Sequence, residues 1–519
     1  MTDETASETT QSEQPEQPVQ QVPGETAEVS STPAPRPAGG GGRKGLVVAG
    51  CAVGAVALIA AGTVTAVSLS SGSSDSAADV LPSTAFAYAE VDLANAGQAV
   101  PTLMKLPSVK KSLDLKSGSD LREKLVTKSC ASVDWAKDVA PWLGNKAAVA
   151  EMPAARGGDP VSAVAVQVTD TDAANKGLQK LTTCATQSAT WWVDDGWALI
   201  AQSSSDLSAV RKAAAKASLA DDADFQKWTG QVGERGFVTA YASDKLLDDL
   251  ADVVEKHAAD ASDSSLASLG LPSKLTDPKQ IADLMRKSHT FKGGAVTVRG
   301  VGNAFEAEGA VGSSAMNGQS GTLVGSLPAD TTATFGAHPA KGWMDTVLKT
   351  SGADFDKSFS AAAGYSFSDL ASVYGDSFAL AAGQIDLSNL ANLQTGVKVE
   401  GDGAQVKAGI DKITTALGAK GMLATDTEGK ISAVGMSPDY RKSLLGDGGL
   451  GKSKKFTGVV RDADKAYAVG YIDFDGLDTL VEQVAPGQAD DIAALGQFGF
   501  SAYDSGGVGH TFARLTFDK

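Results

Sequence analysis

L-P-A-D-T-T-A-T-F-G-A-H-P, Leu327–Pro339, decides the reading of this chain, because its pattern occurs twice. Leu81-Pro82 opens T-A-F-A-Y-A-E-V-D-L in the same way. Alternating apolar residues after a Leu-Pro start predict a strand with one buried face. Further landmarks recur in the same order. P-W-L-G-N-K-A-A-V-A-E-M at Pro141–Met152 pairs with S-V-Y-G-D-S-F-A-L-A-A-G at Ser372–Gly383. D-D-G-W-A-L-I-A-Q at Asp194–Gln202 pairs with T-E-G-K-I-S-A-V-G at Thr427–Gly435, each a turn leading into a strand. R-G-F-V-T-A-Y at Arg235–Tyr241 pairs with K-A-Y-A-V-G-Y at Lys465–Tyr471. From the second landmark onward the offset stays near ~230 residues, which marks a duplication rather than a short-period solenoid.

Each copy mixes such strands with amphipathic helices, Asp244–Ala259 and Gly403–Lys420 among them, and closes on an alternating hairpin. The expected fold is therefore α+β: two duplicated lobes of antiparallel sheet, residues 80–315 and 325–519, with helices packed on one face of each.

Upstream, residues 1–44 are rich in Glu, Gln, Thr, Pro and Gly and hold few large apolar side chains. Such a segment buries too little surface to offset its ordering entropy, so a disordered tail is expected. Arg43 and Lys44 precede an uncharged apolar run, Gly45–Leu69. That length suits one transmembrane helix, and the basic pair puts the tail on the cytoplasmic side. Val48-Ala49-Gly50-Cys51 resembles a lipoprotein cleavage box, but most of the apolar run follows the cysteine. Gly50 and Gly54 form a G-x-x-x-G pair, a spacing that lets two helices approach. Residues 70–79 read as a short linker.

The chain has 519 residues and a net charge of −17, of which the part beyond Lys44 carries −13. An acidic surface without a basic stripe argues against nucleic acid as a partner. With the bulk of the chain in an oxidising exterior, a disulfide between Cys130 and Cys184 is expected; two separate small core residues are the alternative.

Gly446–Ser453, G-D-G-G-L-G-K-S, fits the phosphate-loop pattern letter for letter. It follows a short polar helix instead of a buried strand, and its counterpart Ala215–Phe225 has no glycine. No nucleotide is expected there, and the glycines are expected to cap the helix. The four histidines, His257, His289, His338 and His510, lie at no metal-ligand spacing. Asp473, Asp475 and Asp478 have calcium-type oxygen ligands, but Asp478 sits where a helix start favours an acid. Trp191, Trp192 and Trp197 bracket a turn, and two of them are expected in the core. No catalytic, cofactor or metal residue is assigned.

Leu327–Thr331, the Val91-Asp92-Leu93 strand end, the W-L-G before a strand and the apolar run behind a polar tail together resemble an actinobacterial group. Its members are single-pass membrane proteins carrying domain of unknown function 3352. The resemblance covers residues 80–519, and L-P-S-T in the first copy departs from the L-P-A-D-T motif. It implies location and architecture and no activity. The expected function is a non-enzymatic ectodomain that binds or scaffolds an envelope protein or ligand. The alternative is an envelope hydrolase with a dispersed site.

Overall fold

The computed structural model describes residues 76–518, except 97–98, 113–121, 124–125, 128–129, 154–159, 185–187, 257–278, 280–281, 284–285, 287–290, 314–317, 344–345, 347–352, 386–392 and 485. The tail, the apolar run 45–69, Cys51, Gly50, Gly54, His257 and His289 lie outside the described residues.

Among the described residues, sixteen strands form the frame. The first eight are β1 Ala87–Asp92, β2 Leu143–Met152, β3 Val161–Val168, β4 Thr190–Asp194, β5 Trp197–Ala201, β6 Val238–Ala242, β7 Phe291–Val301 and β8 Ala304–Ser313. The second eight are β9 Ala333–Ala337, β10 Ser377–Ala382, β11 Thr395–Glu400, β12 Ala424–Glu428, β13 Ile431–Gly435, β14 Ala468–Asp473, β15 Leu495–Ser505 and β16 Val508–Phe517. Eight helices used below are α1 Ala99–Leu103, α2 Thr171–Leu181, α3 Ser204–Ala214, α4 Ala223–Gln231, α5 Phe367–Tyr374, α6 Gly403–Ala416, α7 Pro438–Leu445 and α8 Lys454–Val459.

The hairpins follow from local chemistry. Asp195 and Gly196 both take positive φ, 47° and 78°, so a two-residue turn joins β4 to β5. Gly506 and Gly507 do the same between β15 and β16.

The expected architecture is corrected on two points. The halves do not form separate sheets. All the strands join one antiparallel sheet in the order β12-β13-β11-β10-β9-β14-β15-β16-β8-β7-β6-β1-β2-β3-β5-β4. The seam is β8 against β16, in continuous register from Ala304↔Thr516 to Gly312↔Val508. Outward from that seam the sequence of strands is the same in both directions. The physical reason is the edge. A half that ended at β8 or β16 would leave a long row of unpaired N–H and C=O groups, and pairing the two satisfies both.

The second correction concerns the helices, which cover both faces. On the first face, Leu207 and Val210 of α3 and Phe225 and Trp228 of α4 pack against Tyr88, Ala148 and Leu199. Tyr440 and Leu444 of α7 and Phe456 and Val459 of α8 pack against Ala379, Ala433 and Val469. On the second face, Leu178 of α2 meets Ala147, Val166 and Ala198, and Ala99 of α1 meets Val91 and Val149. At the far end Val373 of α5 and Val406 and Ile410 of α6 meet Val399 and Val434. Strands apolar on both parities need cover on both sides. The expected fold also began with a transmembrane helix; among the described residues no helix is long and apolar enough to cross a membrane.

The Leu-Pro starts act as braces. Leu81 is fully buried, its carbonyl accepts from Leu219 N at 2.7 Å, and Pro82 bridges to Ser218. Leu327 is buried likewise, accepts from Leu450 N at 3.0 Å, and Pro328 bridges to Gly449. The first described residues are fastened by Glu90, whose Oε2 accepts from Ser76 Oγ, Ala77 N and Tyr88 Oη at 3.1, 2.9 and 2.7 Å. Burial, with Glu90 beside it, pushes the Tyr88 phenol well up.

Candidate functional site

The residues singled out by pattern resolve mostly into structural roles. In the glycine loop, the Gly446 carbonyl accepts from Lys398 Nζ at 2.7 Å, and Ser326 O accepts from the same amine at 3.3 Å. Gly448 N donates to Ser326 O at 3.0 Å and Leu450 N to Leu327 O at 3.0 Å. Lys452 N and Ser453 N close turns onto Gly449 O and Leu450 O. The Gly448 and Leu450 amides thus brace the Leu-Pro start, and those of Lys452 and Ser453 close local turns, so these four amides are engaged within the protein. Gly449 needs its glycine, at φ 80°, and a Cβ on Gly448 would lie 2.4 Å from Pro328 Cα. Lys398 itself is 3% exposed, and burial lowers its pKa, partly offset by Asp447.

Of the three aspartates with calcium-type chemistry, Asp473 and Asp475 each hold Lys455 Nζ at 2.8 Å. Asp478 lies in the first turn of the helix Asp478–Val484. Among the described residues no group of three or more His, Cys, Asp or Glu is arranged to hold a metal. His338 Nδ1 lies 3.1 Å from Gly321 O, and His510 stacks on Tyr503. Trp197 is core at 1% exposure. On the edge strand, Trp192 lies under the Arg211 guanidinium at 3.6 Å, and Trp191 Nε1 donates to Asn175 Oδ1 at 3.1 Å.

Cys130 and Cys184 are joined by a disulfide with Cα atoms 5.5 Å apart, a spacing the bond accepts without backbone movement. Beside it, an open cleft of about 670 Å³ is lined by Lys137, Lys176 and Lys180 together with Asp138, Asp170 and Asp172. The two signs offset one another, and Lys180 is already paired with Asp138.

Two features of the central strands were not singled out by sequence pattern. On the first face, a charge cluster crosses the seam. Arg514 Nη1 meets Glu306 at 2.7 Å and Arg299 Nη2 meets Glu308 at 2.8 Å. Arg461 pairs with Glu308, lies 3.7 Å from Glu306, and stacks on Phe512 at 3.9 Å. Burial raises the Glu308 carboxyl, but Arg299 and Arg461 outweigh it and hold the group below its ordinary range.

The second feature lies on the opposite face of the same strands. A register row runs Leu380, Phe335, Gly470, Phe500, Ala513, Ala307, Val298 across β10, β9, β14, β15, β16, β8 and β7. The row on one side runs from Ala382 to Gly300 through Ala333, Ile472, Phe498, Leu515 and Phe305. The row on the other runs from Phe378 to Val296 through Ala337, Ala468, Ala502, Thr511 and Gly309. Thr511 is the one polar side chain on this platform. Phe335, Leu380 and Val296 are 44%, 42% and 37% exposed. Strand spacing of ~4.8 Å and a ~6.8 Å repeat along each strand make the platform about 29 Å by about 14 Å.

The exposed part of these rows is the adjacent pair Phe335 and Leu380, with Val296 at the far end; Gly470, Ala468 and Ala502 are buried, Val298 and Phe305 pack with Ala99 of α1, and Phe378 packs with Val373 of α5. The signal was present in the strands: A-T-F-G-A, S-F-A-L-A-A and F-G-F-S-A lack the polar alternation that a solvated face shows.

No curated protein is similar to this chain. The solved structure titled "Structure of crystal form I of TP0453" is similar at 10% sequence identity over 46% of this chain and 80% of that one, with a TM-score of 0.22. A likeness that loose carries no argument. A family model does match, over a shorter stretch than the resemblance implied, and Leu327–Thr331 falls outside it. The part of this chain that a known family shares is residues 44–190, which match the family described as "Protein of unknown function (DUF3352)".

Proposed function

We propose that this protein is a non-enzymatic binding protein of the cell envelope, tethered through residues 45–69 with its tail cytoplasmic and its sheet outside, and that the exposed pair Phe335 and Leu380 marks its binding surface. The pair carries the reading: Phe335 and Leu380 lie side by side at 44% and 42% exposure, and apolar area left in water is costly unless something covers it. The Cys130–Cys184 disulfide supports an oxidising location. The basic pair before the apolar run supports the same orientation. Nucleotide binding has no place in this reading, since the Gly448, Leu450, Lys452 and Ser453 amides are engaged within the protein. Nor does a hydrolase gain support: the buried Glu90, Glu306 and Lys398 are each tied to structural partners.

The test is site-specific photo-crosslinking in native envelope from a probe at Leu380, with a probe at Leu417, 64% exposed at the end of α6, as control. The reading expects an adduct from Leu380 well above that from Leu417. Equal labelling from the two positions refutes it, as does protection of the sheet from protease added to intact cells.

A further inference from the structure

We infer that a second copy of this chain pairs with the sheet edge at β4, strand to strand, around a two-fold axis at Trp192. The inference uses neither Phe335 nor Leu380 and goes beyond the binding role proposed above. Among the described residues, β4 and β12 are the strands that end the sheet. Each is paired on one side, β4 with β5 and β12 with β13. The direction of the remaining backbone groups follows from the turn. Asp194 and Trp197 flank the two-residue turn Asp195-Gly196, so they form a hydrogen-bonded pair. Thr190, Trp192 and Asp194 therefore direct their N–H and C=O groups at β5, and Trp191 and Val193 direct theirs outward. Such a row of outward groups is a template for one more strand.

The duplication picks the edge, and charge picks the occupant. β12 holds the equivalent place in the second half and reads A-T-D-T-E. Paired with its own copy about its centre, it would set Asp426 opposite Asp426, and like charges directly opposite destabilise a sheet. Arg441 offsets part of each charge, but the strand brings no large apolar side chain to the pair. β4 reads T-W-W-V-D. A copy paired around Trp192 sets Trp192 opposite Trp192, Trp191 opposite Val193 and Asp194 opposite Thr190. Trp191 and Val193 then make two hydrogen-bonded pairs, about four N–H···O bonds in all. Aromatic–aromatic and aromatic–β-branched neighbours are favourable cross-strand pairs, and no acid faces an acid. The strand is thus complementary to itself, which is what a two-fold interface requires. Centring the pair on Val193 would instead put Asp194 against Trp192. Both rings are already held in place, Trp192 under the Arg211 guanidinium and Trp191 by its Nε1 bond to Asn175. Pairing therefore costs little further ordering of these side chains. The same kind of edge pairing joins the two halves within one chain, at β8 and β16.

The experiment is thiol crosslinking of the full-length chain, co-expressed in one cell with two different epitope tags and treated with a mild oxidant. The background is Cys51→Ser, which leaves no cysteine besides the bonded Cys130 and Cys184. Trp192→Cys puts a thiol on the axis, where the Cα atoms of a non-hydrogen-bonded pair stand about 4.5 Å apart, within the ~4.4–6.8 Å that a disulfide accepts. Thr190→Cys is the control, because its two copies would stand about 14 Å apart along the strands. The inference expects a product joining the two tags from Trp192→Cys, at least tenfold above that from Thr190→Cys. A mixed pair, Trp191→Cys under one tag and Val193→Cys under the other, keeps Trp192 and should crosslink as well. Adding Val193→Pro to Trp192→Cys should lower its product at least tenfold. That change removes an outward N–H and leaves the bonds to β5, so circular dichroism and thermal midpoint should match those of Trp192→Cys alone. Val193→Lys, an edge charge, is the second blocking variant. Equal product from Trp192→Cys and Thr190→Cys overturns the inference, as does no product from both Trp192→Cys and the mixed pair. So does a product insensitive to both blocking variants. Crosslinking of Trp192→Cys to a different protein, with nothing joining the two tags, overturns the second copy as the occupant.

Discussion

Reducing the Cys130–Cys184 bond is expected to destabilise the protein by about 4 kcal/mol. The bond closes a loop with a sequence separation of 54. Cross-linking a loop of that size removes conformational entropy from the unfolded chain, near −14 cal/mol/K by the chain-entropy relation, or about 4 kcal/mol at 25 °C. Strands β2 and β3 lie inside this loop and are held in the middle of the first half by β1 and β5. The native state therefore keeps its shape when the bond opens, and the effect acts on the unfolded ensemble. Cys130 packs with Val133, Val139, Trp142 and Leu178, so a Ser at that position would add a burial cost of its own. Cys184→Ser, at the less buried end, is the cleaner variant. The assay is equilibrium urea unfolding of the full chain, with and without reductant, followed by tryptophan fluorescence. The midpoint should fall at similar slope, and the variant should match the reduced parent. A shift below about 1 kcal/mol would refute the entropic reasoning, as would free thiols in protein taken from its native envelope.

Lys398→Met should remove the pH dependence that this amine imposes. Its folded-state pKa is lowered by burial, so the unfolded chain holds the proton more tightly, and parent stability should rise as pH climbs toward the ordinary lysine value of ~10.4. The variant should lose that rise in urea titrations at stepped pH; a parallel rise in both proteins would show that the amine is not responsible. Asp369 is held down to about 2 by Lys412, with further bonds from Ser366. Its contribution is therefore full above the unfolded carboxylate value and lost as pH falls toward about 2. Solvent screening limits it to about 1 kcal/mol or less, and Asp369→Asn should flatten that acid limb. Trp228 is 1% exposed and its ring packs on Gly312 and Gly293, so Trp228→Ala should cost about 3–5 kcal/mol in thermal or urea unfolding. A loss under 1 kcal/mol would mean that the α4 contact with β7 and β8 is dispensable.

Local pattern reached the elements. The Asp195-Gly196 turn, the hairpins β7–β8 and β15–β16, and the two Leu-Pro strand starts are each visible as short-range chemistry. The phosphate-loop pattern could be doubted from its flanks, but the reason for its glycines came from Pro328, more than a hundred residues away, packed against Gly448. Lys398 gave no warning in sequence. A lysine in a strand reads as solvent-facing until the two carbonyls that hold it are seen. Likewise Glu306 and Glu308 read as ordinary polar positions of a hairpin; Arg461 and Arg514 reach them only because β16 lies beside β8.

What the chain determines by itself is local: where strands and helices start and stop, and which positions can be buried. Those are properties of neighbours within a few residues, and periodicity reports them. Only the tertiary structure decided that the halves share one sheet and that the apolar positions of seven strands line up in shared rows. Register between strands is set by pairing partners far apart in the chain, with sheet edges as the driving cost, and no short window of sequence contains that information.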